Sequence, residues 1–147
     1  MKSKNTLKTK NKSQTRKRSP SYSKNKGNAY ERKIVKELKE LGFDVSTTRN
    51  SSREEDANKI DIHDNRGDLP CKIQAKATQQ IPPYFKIRSE STVDPDEFTI
   101  IWSKQEKKET NIVSVGEVVM IPKRLFYKLI KSYADSNSNI QRREERD

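Results

Sequence analysis

The basic residues of this chain are concentrated at its start, and this asymmetry limits how much of the chain can fold. Residues 1–26 hold ten of the 32 Lys and Arg residues and no Asp or Glu. Beyond residue 26, 22 basic residues accompany 21 acidic ones, so nearly all of the formal net charge of +11 lies in the leading segment. With Leu7 as its single aliphatic residue beyond Met1, this segment cannot bury enough apolar surface to offset the loss of chain entropy. We therefore expect a disordered basic arm over 1–26.

Such an arm is typical of proteins that contact nucleic acid, because phosphates attract Lys and Arg without regard to base sequence. Lys17 and Arg18 are the predicted DNA contacts within it. The alternative interpretation is a solubilising tail or a targeting segment. At the other end, residues 135–147 carry charges of both signs and are expected to form a flexible tail.

Composition excludes several classes of protein. The length of 147 residues fits one domain. No apolar run approaches the ~20 residues of a membrane-spanning helix, and the start lacks the apolar stretch of a secretory signal. The single cysteine, Cys71, excludes an internal disulfide and a zinc site with several cysteines. We expect a cytoplasmic protein with no membrane partner.

The pattern of residues 27–134 predicts one α/β domain, a single mixed sheet of about five strands flanked by helices. Apolar residues recur at helical spacing in the first and last segments, and alternate or cluster as in strands between them. The predicted elements are a helix over 27–43, strands over 43–48, 59–63 and 70–78, strands over 98–103 and 112–121, and a helix over 121–134. Gly42 is predicted to end the first helix, and Gly116 to break or bulge the last strand. Residues 49–58 are predicted to be a polar loop, and 80–97 a connection with at most a short helix or strand.

Glu31 lies within the apolar arc of the first predicted helix. At 100° per residue, its side chain projects between those of Val35 and Leu38, away from the solvent face. A carboxylate in that position is costly unless it caps the helix, pairs with a cation or binds one. Asn28 stands three residues earlier, so a capping box in which Asn28 begins the helix is an equally strong explanation.

A second group of polar residues lies on two neighbouring predicted strands. Asp61 sits between Ile60 and Ile62, where Asp has poor strand propensity. Gln74 and Lys76 are two residues apart and therefore leave their strand on the same face. Paired as a hairpin, these strands bring the three polar side chains together, and oxygen atoms of this kind hold Mg²⁺. A lysine beside such an ion suits phosphodiester hydrolysis. The alternative is a solvated polar face.

The order of these predicted elements and of their polar residues resembles that of the PD-(D/E)XK nuclease superfamily. Within this superfamily, the chain is similar to the Holliday junction resolvases of the archaeal and phage type. The resemblance rests on KGNAYERKIVKELKELGF, SSREEDANKIDI and LPCKIQAKA, and the later FTIIWSK and VGEVVMIPKRLF are similar to the closing strands and last helix of phage members. It covers residues 27–134. It implies a restriction-endonuclease-like core and a source in a phage or virus acting in host cytoplasm.

The resemblance also implies roles for individual residues. Glu31 and Asp61 match the metal-binding acids, Gln74 occupies the second acidic position of the motif, and Lys76 matches the catalytic lysine. The expected Mg²⁺ ligands, with Mn²⁺ as a substitute, are Glu31, Asp61, Gln74 and the carbonyl of Ala75. The expected DNA contacts are Arg49, Ser51, Ser52 and Arg53, in a loop that matches the serine-bearing loop of resolvases.

Gln74 is where the chain departs from the family pattern. An amide oxygen binds Mg²⁺ but brings no charge, so metal affinity falls unless another carboxylate contributes. Glu54, Glu55 and Asp56 in the preceding loop are candidates for that carboxylate.

Four further residues or pairs have structural interpretations that compete with functional ones. His63 shares the predicted face of Asp61 and is either a base or a solvated residue near a turn. Cys71 and Trp102 are interpreted as core residues. Tyr84 and Phe85 either contact DNA or a second subunit, or pack within their own loop.

These observations predict a Mg²⁺-dependent endonuclease that cuts four-way DNA junctions in recombination, replication or packaging. Symmetric cleavage of such a junction needs two active sites and hence a homodimer. One alternative is a nuclease of the same superfamily with another DNA target, as in repair or restriction. The other is a basic nucleic-acid-binding protein without catalysis.

Overall fold

The computed structural model of the chain describes residues 20–51 and 53–144. The predicted DNA contacts Lys17, Arg18 and Ser52 lie outside these residues, as does the side chain of Ser51. Among the described residues no helix is long and apolar enough to cross a membrane.

The predicted fold class is confirmed, since five strands form one mixed sheet with helices around it. The elements are α1 (Pro20–Glu40), β1 (Val45–Thr47), α2 (Thr48–Ser51), α3 (Arg53–Ala57), β2 (Ile62–Asp64), β3 (Lys72–Thr78), α4 (Tyr84–Ser89), β4 (Phe98–Lys108), β5 (Asn111–Met120) and α5 (Lys123–Glu144). The strands follow one another in chain order across the sheet. β3 and β4 are parallel and the other neighbours are antiparallel.

The first helix begins earlier than the sequence predicted. α1 starts at Pro20, so residues 20–26, which were assigned to the basic arm, are helical. Proline is favoured at a first helical position, and extending an existing helix costs far less than starting one. Asn28 consequently lies inside the helix, and the capping box that would have explained Glu31 does not form.

The end of α1 agrees with the prediction. Gly42 adopts a φ of +94°, the left-handed conformation that glycine tolerates. Its amide donates to the carbonyl of Lys39, and the amide of Phe43 donates to that of Leu38. This is the Schellman arrangement, which turns the chain into β1.

Two apolar clusters hold the sheet between helices. On one face, Ile34 of α1 packs with Val45, Ile62 and Ile73. On the other face, Ile60, Phe98 and Ile100 pack with side chains of α4 and with Trp102. The interpretation of Cys71 and Trp102 as members of the core fits their places beside these clusters.

Other boundaries also differ from the sequence-based prediction. β2 begins at Ile62, so Asp61 precedes the strand that was predicted over 59–63. Residues 49–58 are not a plain loop but hold α2 and α3. β4 extends to Lys108, and its register with β5 shifts between Lys104 and Gln105, next to the predicted irregularity at Gly116. α5 continues to Glu144, because no glycine or proline interrupts it after Pro122.

Candidate functional site

The predicted site residues Glu31, Asp61 and Lys76 come together although they lie on three different elements. Glu31 belongs to α1, Asp61 immediately precedes β2, and Lys76 belongs to β3. The charges of Asp61 and Lys76 both act on the carboxyl group of Glu31, and the charge of Lys76 acts on that of Asp61. The three side chains therefore lie within range of one another's charges.

Glu31 is a buried carboxylate, with 5% of its surface exposed. Arg49 is its ion-pair partner, with 3.2 Å between Nη2 of Arg49 and Oε1 of Glu31. Burial and the nearby charge of Asp61 nevertheless raise the pKa of Glu31, against the opposing effects of Arg49 and Lys76. With the capping box absent, the cationic neighbours Arg49 and Lys76 offset part of the cost of burying this group.

Asp61 is fixed at the start of β2 by hydrogen bonds on both sides. The backbone amide of Ala75 donates to Oδ2 of Asp61 at 2.8 Å, and the amide of Asp61 donates to the carbonyl of Ile73. Burial raises the pKa of Asp61, while the Ala75 amide and the charges of Lys76 and Arg49 lower it in part. The carboxylate is thus held beside β3, one residue from both Gln74 and Lys76.

Arg49 is positioned by the residue before it. Thr48 donates its hydroxyl to the carbonyl of Ile60 at 2.8 Å and its amide to the carbonyl of Asp61 at 3.0 Å. Because these bonds tie the start of α2 to the chain around Asp61, the guanidinium of Arg49 reaches Glu31. Arg49, expected from the sequence to contact phosphate, is therefore also the counter-ion of a site carboxylate.

Gln74 is 3% exposed, and its amide oxygen is buried without a hydrogen-bond partner among the described residues. Leaving such an acceptor unpaired costs about 1–3 kcal/mol. Its neighbour Ala75 is bonded to Asp61, so Gln74 lies one residue along β3 from the amide that holds that carboxylate. A buried oxygen without a donor is the kind of group that a cation satisfies.

Of the three acids proposed to compensate for Gln74, only Asp56 acts on both site carboxylates. Its charge raises the pKa of Glu31 and of Asp61, in each case after burial as the main cause. Glu55 instead pairs with His63 and lies 3.6 Å from Nζ of Lys72. His63 is thereby engaged with Glu55, so its predicted role as a base beside Asp61 receives no support from its contacts.

The donor set suits a hard cation in part. Two carboxylates, an unpaired amide oxygen and a backbone carbonyl are oxygen ligands of the type that Mg²⁺ takes. Among the described residues, no three His, Cys, Asp or Glu side chains form a group placed to hold a metal ion. A metal here would therefore depend on the oxygens of Gln74 and Ala75 beside the two acids.

The remaining predicted DNA contact of the loop, Arg53, is exposed at the start of α3. Sequence reasoning named Asp56 as a candidate but did not find the role of Thr48, which it assigned to the end of a strand and which instead begins α2. Comparison with models of protein families, with curated proteins and with solved structures finds no match for this chain.

Proposed function

We propose that this protein is a Mg²⁺-dependent endonuclease that hydrolyses phosphodiester bonds at four-way DNA junctions. The observation that carries the proposal is the pair of carboxylates, buried Glu31 and partly buried Asp61, which lie within reach of the charge of Lys76 although they come from distant parts of the chain. Two acids that are shielded from water and repel each other reduce the stability of the fold. Such pairs are common in active sites.

Each residue has a distinct task in this proposal. Glu31, Asp61, Gln74 and the Ala75 carbonyl hold Mg²⁺, which when bound supplies the positive charge that polarises a phosphate ester. The ammonium of Lys76 orients the attacking water and offsets charge on the phosphate. The water oxygen then bonds to phosphorus, the ester P–O bond breaks, and the departing oxygen takes a proton.

Exposed cations beside the site would bind the DNA backbone. Arg53 is exposed on α3, and the guanidinium of Arg49 is partly exposed although it pairs with Glu31. Residues 1–19 contribute eight further basic residues and no acid. A small protein that holds DNA mainly by phosphate contacts reads shape more readily than sequence, which favours a junction as substrate.

Cutting a junction symmetrically requires a homodimer, and one surface of the protein suits such an interface. β5 is an edge strand, and Val118 and Val119 on it are about half exposed. Phe126 and Ile130 on α5 are also about half exposed, so apolar side chains of both elements face solvent. Apolar surface of this kind marks protein interfaces. We place the protein in the cytoplasm, that of the host if its source is viral.

Cleavage of a synthetic four-way junction in Mg²⁺, with linear duplex as the comparison substrate, tests the proposal. Asp61→Asn keeps the shape of the side chain but removes its charge, and we expect cleavage to fall about 1,000-fold. Junction binding should remain. Asp68→Asn, which changes an exposed turn residue in the same way, should cut normally. Mg²⁺ should also raise the melting temperature of the wild type more than that of Asp61→Asn.

The neutral side chain of Gln74 favours one second candidate, a nucleic-acid-binding protein that does not cut. Without a charge at this position the site has fewer anionic ligands than the family pattern expects. Wild-type protein that binds the junction but releases no product in Mg²⁺ or Mn²⁺ would establish this alternative. Equal cutting of linear duplex would instead indicate a nuclease with another target.

A further inference from the structure

A cavity away from the carboxylate site combines exposed aromatic surface with positive charge. It has a volume of about 480 Å³ and lies between α4 and the connection from β5 to α5. Tyr84 and Phe85 line it on the side of α4, together with Arg88. Lys123 and Arg124 line it at the start of α5.

Tyr84 anchors the aromatic side of the cavity to the sheet. The hydroxyl of Tyr84 donates to the carbonyl of Phe98 at 2.6 Å, and this bond anchors the start of α4 to the core strand β4. The ring of Phe85 meets that of Tyr84 edge to face, with 5.4 Å between centroids. Phe85 is nevertheless 73% exposed. A large apolar ring that is open to solvent and rests against a second, anchored ring is suited to stacking against a planar partner.

The charges around the cavity favour an anionic partner. Asp96 is the one carboxylate that lines the cavity. It forms an ion pair with Arg124, with 2.9 Å between Oδ2 of Asp96 and Nη1 of Arg124. Among the described residues no ion pair joins Arg88 or Lys123 to a carboxylate, and both cations lie near aromatic rings, with Arg88 5.2 Å from the centroid of Phe85 and Lys123 5.4 Å from that of Tyr127. The cavity therefore carries an excess of two positive charges next to its aromatic surface.

We propose that this cavity binds an unpaired nucleotide of a single DNA strand, with the base stacked on Phe85 and the phosphate held by Arg88 and Lys123. Aromatic rings that stack bases beside cations that hold phosphates are the usual means of binding single strands. The inference relies on the nucleic-acid partner of the proposed function but not on cleavage.

The cavity is close enough to the site to act on the same strand. α4 separates it from a second cavity of about 310 Å³, which Lys76 and Ile87 line together. A helix with its side chains is about 10–12 Å across. A strand that leaves the junction at Lys76 would need to extend by only a few nucleotides to reach Phe85. The two cavities would then fix where the junction opens relative to the scissile bond.

The test measures binding of full-length Asp61→Asn protein to a labelled 12-nucleotide oligothymidine and to a blunt 12-base-pair duplex. Phe85→Ala in this background should weaken binding of the single strand about tenfold or more. It should leave duplex binding unchanged within about twofold. Phe85→Trp should restore the affinity, because an indole stacks at least as well. Tyr133→Ala, a control for loss of an exposed ring on α5, should change neither affinity.

Salt dependence gives an independent measure of the phosphate contact. Lys123→Ala should reduce the slope of log affinity against log salt for the single strand by about 0.7, the value for one phosphate contact. No change of slope would overturn the placement of the phosphate.

Three other results would overturn the proposal. One is unchanged single-strand affinity in Phe85→Ala. A second is an equal loss of affinity for single strand and duplex. The third is a change in oligomeric mass without a change in DNA affinity, which would mean that a second copy of the chain fills the cavity. If wild-type protein cuts no DNA but the Phe85 effect on single strands persists, this inference stands while the proposed nuclease function fails.

Discussion

Apolar groups are usually buried and polar groups exposed, and the two ends of the sheet depart from this rule in opposite ways. Around β1, β2 and β3, polar groups are buried: Glu31 and Gln74 are almost inaccessible to solvent. At β5 and α5, apolar groups are exposed, and every described side chain from Phe126 to Ser138 faces solvent. On α5 only Leu125 is buried among the described side chains.

Both exceptions cost stability in the isolated chain, but for different reasons. A buried carboxylate or amide oxygen loses hydration that its neighbours replace only in part. An exposed apolar side chain forgoes the roughly 1.5–3 kcal/mol that full burial would give. The first cost is removed by a ligand that satisfies charge and oxygen atoms, and the second by a partner that covers apolar surface. We therefore expect the polar end to bind a ligand that satisfies its charges and oxygen atoms, and the apolar end to bind a protein partner.

The largest effect should come from the polar end. Lys76→Ala removes the cation that lowers the pKa of both site carboxyls, and we expect the cleavage rate to fall about 100-fold or more. The two pKa values should rise further, so Mg²⁺ binding should require a higher pH. The acidic limb of the pH–rate profile should therefore move to higher pH.

Lys72→Ala is the matched control on the same strand, since Lys72 lies near Glu55 and not near the site carboxylates. Its cleavage rate and pH profile should stay within about threefold of the wild type. If both variants behave alike, the polar end has no special relation to catalysis.

The apolar end is tested by a charge on the edge strand. Val119→Glu would place an unpaired carboxylate in the proposed dimer interface, and we expect the dissociation constant of the dimer to rise about 100-fold. Analytical ultracentrifugation would show a monomer at micromolar concentrations where the wild type is a dimer. Leu41→Glu, at an apolar residue beyond α1 that is more exposed than Val119, should remain dimeric. A monomeric wild type would refute the idea that this surface is covered by a second copy.

The smallest effect concerns the stability cost of the polar end. Burial and Asp61 raise the pKa of Glu31, so the folded state favours its protonated form. The charged group therefore reduces stability above the raised pKa, and this loss disappears as the pH falls below the pKa of the unfolded chain. Glu31→Gln should raise the free energy of unfolding by about 1 kcal/mol at pH 7. The gain should vanish in acid.

Urea denaturation between pH 3 and 8 measures the difference in the free energy of unfolding between Glu31→Gln and the wild type. Glu37→Gln, on the exposed side of the same helix, should change stability by less than about 0.5 kcal/mol at every pH. A Glu31→Gln protein that is less stable than the wild type at neutral pH would mean that the ion pair with Arg49 outweighs the cost of burial.

Much of the fold was accessible from periodicity alone. The alternation around Ile73 and the apolar run from Phe98 predicted strands that form, and Gly42 predicted the end of α1. The start of α1 was not predicted, because a high density of lysine argues against burial but not against a helix that continues into solvent. α5 extends beyond its predicted end because its polar continuation holds no glycine or proline that would stop a helix.

The candidate site shows where local patterns stop being informative. The wheel position of Glu31 predicted a buried acid, and the structure bears this out, but only the true start of the helix excluded the capping box. Arg49 and Asp56 reach the site through two helices of four and five residues, which carry no repeating pattern. The cavity at Phe85 joins residues from α4 and α5, and no spacing along the chain could reveal it.

The position of Trp102 supplies the protein with its own optical reporter. It is the only tryptophan in the sequence, and it lies opposite Lys76 on the neighbouring parallel strand. Its indole N–H donates to the hydroxyl and to the carbonyl of Thr78, at the end of β3. Its fluorescence therefore arises beside the proposed catalytic lysine, so titrations with divalent ions or DNA can be followed without labelling the chain.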